Sequence, residues 1–456
     1  MAKFNPFLIK LFDKILEKND YFWDVNSLHN KFKYNKKFSL KQIKDYWIEF
    51  LTHNGDKIGK TLFIDFYINI PFCFSKCEYC IFFRSTIPPV NIIDNYINLL
   101  IYMFKYFSPV FRGYKFRHLY IGGGTPNVLS EYQLRKLLTH LFKNFEFEIK
   151  GQKTSEINPR ITKYYYFKIL KDFGFNRISF GVQTLNPKAL KINNRIYQTE
   201  EKIREAFSIA RELKFIDINA DLIAGLAGDT ENDFIKSFIN LSKLEPNNIV
   251  VYGLMLPKNQ NYLAKLLKMS QYSYYMRFYP NFITKILSKL SIISPKLNYE
   301  PDSLEVARWH WGFRNIKYKN ININGNYKGE FSGCIFGIGH GSRSRIHNML
   351  EYRQIFNLSS ESLLPLLIKG RESNEREEMI KYIINSLSIS TEIDKRQFEK
   401  LFGKNMNKIF SNAINFLKSL KVIEETNKKI ILKVDYPPYK YVYASFFLHN
   451  FLHNNV

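Results

Sequence analysis

The sequence predicts an α/β protein: an open, partial (β/α)6 barrel of the TIM type, with an N-terminal helical extension and a C-terminal winged-helix-like α+β module. Three observations carry this prediction. Between about residue 61 and Pro257, short apolar runs alternate six times with amphipathic stretches of helical period. The stretch before it carries helix signals. After residue 373 the pattern shifts to three helices and a short hairpin. Six units fall short of the eight that close a barrel. The expected division is 1–60 for the extension, 61–350 for the β/α core and 351–456 for the C-terminal module, which suits 456 residues.

Each element has a local reason. SLKQIKDYWIEFLTHNG reads as a helix capped by Ser39 and stopped at Gly55. FIDFYINI is an apolar run of strand length, and VNIIDNYINLLIYMFKYF a helix. HLYIGGG is a strand ending in glycines, followed by a helix with Ser130 at its cap. FEFEIKGQ reads as a strand or part of an edge hairpin. KTSEINP, RISFGVQT, IDINADLIAGL and NNIVVYGLML are further strands, separated by helices over ITKYYYFKILKDFG, TEEKIREAFSIARELKF (Thr199 as cap) and DTENDFIKSFINLSKL. Residues 260–330 are irregular and rich in Tyr and Asn. FSGCIFGIGHGSRSR returns to an apolar run followed by glycines.

Composition narrows the function classes. Hydrophobic residues make up 45% of the chain, enough for a full core. No apolar run reaches the ~18 residues of a membrane span. The N-terminus alternates apolar and charged residues as an amphipathic helix does, unlike a secretory signal. Few cysteines and no signal pattern point to the cytoplasm, and a monomer is expected. The net charge of +26 is spread without a basic block, which disfavours nucleic acid as a partner. The same positive field would help draw in an anionic small molecule.

Three of the four cysteines, Cys73, Cys77 and Cys80, lie in YINIPFCFSKCEYCIFF, directly after the first core strand. Three thiolates on one loop can hold three corners of a 4Fe-4S cube and leave one iron open. Structural zinc takes four ligands, and an odd cluster suits disulfides poorly. Cys334, in an apolar setting, reads as a core residue.

In a parallel β/α sheet, function gathers at the C-terminal strand ends. Gly122–Pro126 (GGGTP) ends one strand, where glycines let the backbone approach a ligand. Glu156, Gln183 and Asp221 sit near the ends of three others, where a polar side chain costs free energy unless satisfied. Each could be a structural hydrogen-bonder. Together they read as a polar lining for an amino acid and a ribose. Arg195 in NNRIYQ could pair with a carboxylate or lie on the surface.

The C-x3-C-x2-C loop, with Tyr79 before its last cysteine, resembles the signature of the radical S-adenosylmethionine superfamily. YINIPFC, IGGGTPNVLS, EINPR, ISFGVQTLNPKALKINNR, NADLIAGLAGDT and GIGHGS, in that order, resemble the subgroup of oxygen-independent coproporphyrinogen III oxidases, related haem chaperones and similar methyltransferases. The likeness runs from about residue 62 to 350. It implies a 4Fe-4S cluster on Cys73, Cys77 and Cys80. It also implies one or two S-adenosylmethionine molecules contacted by Tyr67, Gly123, Gly124, Thr125, Glu156, Gln183, Arg195 and Asp221, with Tyr79 against the cluster or the adenine. It further implies an enzyme supplied by an electron donor such as flavodoxin or ferredoxin. Such an enzyme would act on a tetrapyrrole by oxidative decarboxylation or radical C-methylation; the alternative is a haem-binding chaperone without turnover. No catalytic side chain is singled out.

The sequence departs from that pattern in three places. Phe82 stands where the oxidases resemble a further cysteine. ARWHWGFRNIKY at 307–318 does not match the chaperones' HNxxYW string. Seventy-two residues precede Cys73, an extension that, with the WHW segment, somewhat resembles the haem-degrading methyltransferases. His310 and His340 are candidate tetrapyrrole contacts, with a packed aromatic cluster as the alternative for His310.

Overall fold

The computed structural model describes residues 34–82, 85–254, 286–307, 310–318, 333–358, 367–389 and 392–433. The amphipathic helix expected at the N-terminus and most of the irregular 260–330 stretch lie outside these residues. Six strands follow one another in sequence and in space: β1 Phe63–Ile70, β2 Leu119–Gly123, β3 Lys153–Ile157, β4 Arg177–Gln183, β5 Asp217–Ala224 and β6 Asn248–Gly253. Each pairs in parallel with the next. Helices α1 Val90–Phe107, α2 Glu131–Asn144, α3 Tyr164–Asp172, α4 Glu200–Glu212 and α5 Glu231–Ser242 cross between them. Ser130 and Thr199 cap α2 and α4 as their sequences predict. Ser39 caps the N-terminal helix Leu40–Asn54 with a full capping box. FEFEIKGQ contributes only Glu146–Phe147, paired with Lys115–Phe116.

The sheet is wider than the six predicted units. A seventh parallel strand, β7 Gly333–Ile338, lies on the free side of β1. Beyond it, Arg343–Ile346, Leu350–Ile355, Leu367–Glu372 and Lys36–Phe38 continue as antiparallel strands. His310–Asn315 and Tyr299–Ala307 extend the other side antiparallel to β6. Beyond β7 the sheet of thirteen strands therefore takes in Lys36–Phe38 and Leu367–Glu372, outside residues 61–350, and among the described residues its outermost strands do not pair with each other.

The two faces differ. On one, Phe66 and Phe336 pack edge-on at 5.3 Å, with Phe111, Phe116 and Phe145 around them. Trp47 of the N-terminal helix enters this cluster, 5.6 Å from the Phe336 ring, and donates its indole N–H to Tyr352 Oη at 3.0 Å. That bond satisfies two polar atoms that burial would otherwise leave unpaired. The other face carries the side chains of alternate positions, such as Tyr67, Tyr120, Glu156 and Asp221, and encloses the site described below.

The C-terminal segment has the expected helices Glu375–Ile389, Lys395–Phe402 and Ser411–Ser419, with a three-stranded sheet of Glu392–Asp394, Ile423–Glu425 and Lys429–Leu432. Its first helix is tied to the main sheet by buried charges. Glu378 lies 3.8 Å from Arg345 and 3.6 Å from His347, Glu377 lies 2.6 Å from Arg371, and Lys381 pairs with Glu351. Burial works against ionisation of Glu378, but Arg345 and Lys381 hold it well below the usual carboxylate range. No helix among the described residues is long and apolar enough to cross a membrane.

Candidate active site

The cysteine loop hangs from the C-terminal end of β1. Phe72–Cys73 pairs with Ser85–Thr86, which fixes the base of the loop. Its tip is stitched to the segment after β4. Asn194 donates to the Lys76 carbonyl at 2.9 Å, Ser75 Oγ to the Asn194 carbonyl at 3.4 Å, and the Glu78 N–H to the Asn193 carbonyl at 3.4 Å. Arg160, from the EINPR turn after β3, donates to Ser75 Oγ at 2.9 Å. Two strand-end segments therefore hold the loop by side-chain contacts.

One cavity is lined by all three thiols and by Tyr79, Gly123, Gly124, Thr125, Glu156, Gln183, Arg195 and Asp221. Of the residues expected to hold the cluster or S-adenosylmethionine, Tyr67 alone is not on that lining. It stands one layer back, stacked on Tyr120 with ring centroids 6.0 Å apart, its hydroxyl donating to Asn69 Oδ1 at 2.9 Å. Asn158, Ser179 and Tyr252 line the cavity as well, though their sequence signal is no more than a place on alternate strand positions or at a strand end.

The glycine run brings backbone against the loop. A Cβ at Gly124 would lie 2.7 Å from the Phe72 carbonyl and 3.0 Å from Cys73 Sγ. Thr125 Oγ1 sits 3.4 Å from that sulfur. Gly123 adopts φ +112°, and a side chain there would overlap Asn69. On the far wall, Tyr120 donates to Glu156 Oε1 at 2.8 Å and the Gly123 N–H to Oε2 at 3.1 Å. Burial pushes the Glu156 carboxyl up to about 7 against those bonds, and Asp221 adds to the rise. Asp221 accepts from Asn219 at 2.8 Å and Ser179 at 3.2 Å, and burial raises it to about 6. A register shift between β4 and β5 beside Asp221 leaves Gln183 at φ +70°, turning its side chain at the cavity edge.

Arg195 is a buried cation rather than a surface one, 5% exposed. It donates to Gln198 Oε1 at 2.5 Å and the Gly181 carbonyl at 2.6 Å. Its Nη1 reaches Tyr79 Oη at 3.3 Å and Cys77 Sγ at 3.5 Å. Burial opposes its charge, but Tyr79 and Cys77 more than restore it. These contacts fix the loop tip that carries Cys77 and Tyr79 against the segment after β4. Among the described residues no three His, Cys, Asp or Glu side chains close on a single-ion point. The three thiols instead share one cavity wall, which fits a multi-iron cluster better than one ion. Cys334 lies apart, fully buried on β7.

Phe82 lines the same cavity while 64% exposed. The position where a fourth cysteine would stand is an apolar wall. His340 belongs to a separate hollow, lined also by Thr86, Pro89 and Phe356, and its Nδ1 accepts from the Phe356 N–H at 3.0 Å. The His310 side chain lies outside the described residues. Trp311, the second tryptophan of the WHW segment, is buried in the strand next to β6.

Comparison with known proteins agrees with this geometry. Residues 67–238 match the model of the radical SAM superfamily. The chain is 28% identical over 369 residues to a heme chaperone HemW of Lactococcus lactis, covering 80% of this chain and 92% of that one. It is 32% identical over 190 residues to the oxygen-independent coproporphyrinogen III oxidase of Escherichia coli, spanning 42% of this chain and 41% of the oxidase. The fold superimposes on the Escherichia coli coproporphyrinogen III oxidase HemN with a TM-score of 0.71 at 20% identity, over 90% of this chain and 93% of that one.

Proposed function

The chain belongs to the radical SAM superfamily through residues 67–238, and from that premise we propose that it is an enzyme acting on a tetrapyrrole, by oxidative decarboxylation or by C-methylation. The observation that carries this reading is the shared cavity. Three loop thiols and the polar ends of β3, β4 and β5 face one space.

In this reading Cys73, Cys77 and Cys80 hold a 4Fe-4S cluster, and the opposite wall holds S-adenosylmethionine. When bound, the pair supplies a 5′-deoxyadenosyl radical or a methyl group, chemistry that belongs to the cofactors. The chain's own part is to bind, orient and exclude water. Gly123 and Gly124 present backbone without steric bulk. Glu156 and Asp221 offer carboxylates to amine or hydroxyl groups, and Arg195 steadies the loop and its charge. Phe82 and Tyr79 keep the thiols against apolar surface. Anaerobic reconstitution should give about four Fe per chain and 5′-deoxyadenosine from S-adenosylmethionine under dithionite. S-adenosylhomocysteine among the products favours methyl transfer, and CO2 release without it favours decarboxylation. A reconstituted chain that leaves S-adenosylmethionine intact would overturn the reading.

A second reading rests on the likeness to a heme chaperone across 80% of the chain. It makes the protein a haem carrier using the same cavity without turnover. Tight stoichiometric haem binding in a titration, with no product from any tetrapyrrole, would favour it. The WHW segment in place of HNxxYW speaks for the enzyme.

A further inference from the structure

The antiparallel flank beyond β7 carries a row of cations in register. Lys37 faces Lys369, Lys369 faces Arg353, and Arg353 faces Arg343, across four neighbouring strands. Residues opposed in this way share one face of a sheet, and like charges so placed are destabilising. Burial and the facing Arg343 both push the Arg353 guanidinium down. Among the described residues no ion pair is made by Lys37, Lys369 or Arg343. Lys37 and Arg343 are exposed, and Lys369 and Arg353 half-buried. The next row inward is different: Arg345, Glu351 and Arg371 alternate in sign and are closed over by Glu377, Glu378 and Lys381. One row is neutralised by the protein; in its neighbour Arg353 lies over the Tyr34 ring at 5.3 Å, while Lys37, Lys369 and Arg343 keep their charges without a carboxylate among the described residues.

The face on which the row lies is the face of the site. Ile335 of β7 pairs with both Arg345 and Asp65, so their side chains point the same way. Two positions along, Gly337 pairs with Tyr67, which stacks on Tyr120, the donor to Glu156. A side chain at Gly337 would overlap the Arg343 carbonyl, so this place in the row is bare backbone. Four strands at about 4.8 Å spacing make the row about 14 Å long, starting about 10 Å from Tyr67. Lys36, one residue from Lys37, points the other way and is paired with Glu372.

We propose that Lys37, Lys369, Arg353 and Arg343 form a carboxylate-binding row that holds the acidic side chains of the substrate, while the substrate's reacting part extends across Gly337 toward the Tyr67–Tyr120 pair and the cavity. This rests on the reading of the chain as an enzyme for a tetrapyrrole, and names the residues that would select one with several carboxylates. A repulsive row on a substrate-facing surface is the stability given up for binding charge.

The test uses the full chain and porphyrin fluorescence quenching, with coproporphyrin III (four carboxylates) and mesoporphyrin IX (two) as probes. The unmutated chain should bind the four-carboxylate probe more tightly. Arg343→Gln and Lys369→Gln should each weaken it by roughly tenfold or more and narrow the gap between the probes. Arg343→Lys should retain most binding, and Lys36→Gln should change nothing. Because the row repels itself, neither glutamine variant should melt below the unmutated chain, which separates lost binding from lost folding. Equal binding by the glutamine variants would overturn the row and leave the tetrapyrrole reading standing. Failure of the unmutated chain to bind either probe would also overturn the row, while product formation judges the functional reading separately.

Discussion

Tyr120 and Glu156 share a proton-bearing contact at 2.8 Å across the strand pair β2–β3, and the same carboxylate takes the Gly123 N–H on its other oxygen. The carboxyl is held at about 7 because burial outweighs both bonds. Its ionised form is the one that would grip an amine or a hydroxyl donor. Formation of 5′-deoxyadenosine should therefore rise with pH along a limb near 7. Tyr120→Phe removes a bond that favours the carboxylate, so the limb should move to higher pH. Glu156→Gln should abolish it. A limb unmoved in both variants would show that Glu156 does not govern this step.

Asp221 gives a stability test with a definite sign. Burial raises its carboxyl to about 6 in the fold, against about 3.9 in an unfolded chain. The native state thus holds the proton more tightly. This favours folding below about pH 4, and the advantage is lost as pH rises through about 6. The melting temperature of the unmutated chain minus that of Asp221→Asn should fall by a few degrees between pH 4 and 7 and then level. A flat difference would show that Asp221 keeps an ordinary titration.

The parallel core and most of the cavity lining were legible because their signals are local. Ser39, Ser130 and Thr199 mark helix starts by side chains that cap the next backbone donors. Glu156 and Asp221 stand out as carboxylates in apolar strands. Ser179 and Asn219, which hold Asp221, occupy the same alternating positions and could have been read by following period two outward. The antiparallel flanks were not legible. Arg343–Ile346 and Lys36–Phe38 are short and polar, and their pairing partners lie hundreds of residues away for the latter. Register across such strands is tertiary information, and so was the cation row. Arg195 read equally as surface or site, because only the folded loop reveals Tyr79 and Cys77 beside it.

Arg195 should prove a positioning residue for the cysteine loop. Replacing it with Gln removes a buried cation and leaves Gln198 Oε1 and the Gly181 carbonyl short of donors. Losing a charge-assisted bond of this kind costs about 1.5–3 kcal/mol, visible as a lower denaturant midpoint. Iron incorporation should also fall, since the loop loses the donor that reaches Cys77 Sγ at 3.5 Å and Tyr79 Oη at 3.3 Å. Full iron content with lowered stability would confine Arg195 to a packing role.

The four cysteines should divide three to one. Cys334 is fully buried on β7, packed on the Phe336 face, and its sulfur accepts the His347 N–H at 3.4 Å. Burial raises its thiol to about 12, so at neutral pH it carries its proton and is a poor metal ligand. Cys334→Ala should cost about 1 kcal/mol of stability and leave about four Fe per reconstituted chain. Cys77→Ala removes a thiol that lines the cavity beside Arg195. It should lose most of the iron and its visible absorption, with little change in melting of the iron-free chain, because Cys77 is only half-buried. Iron retained in Cys77→Ala but lost in Cys334→Ala would reverse the assignment and move the cluster away from the strand-end carboxylates.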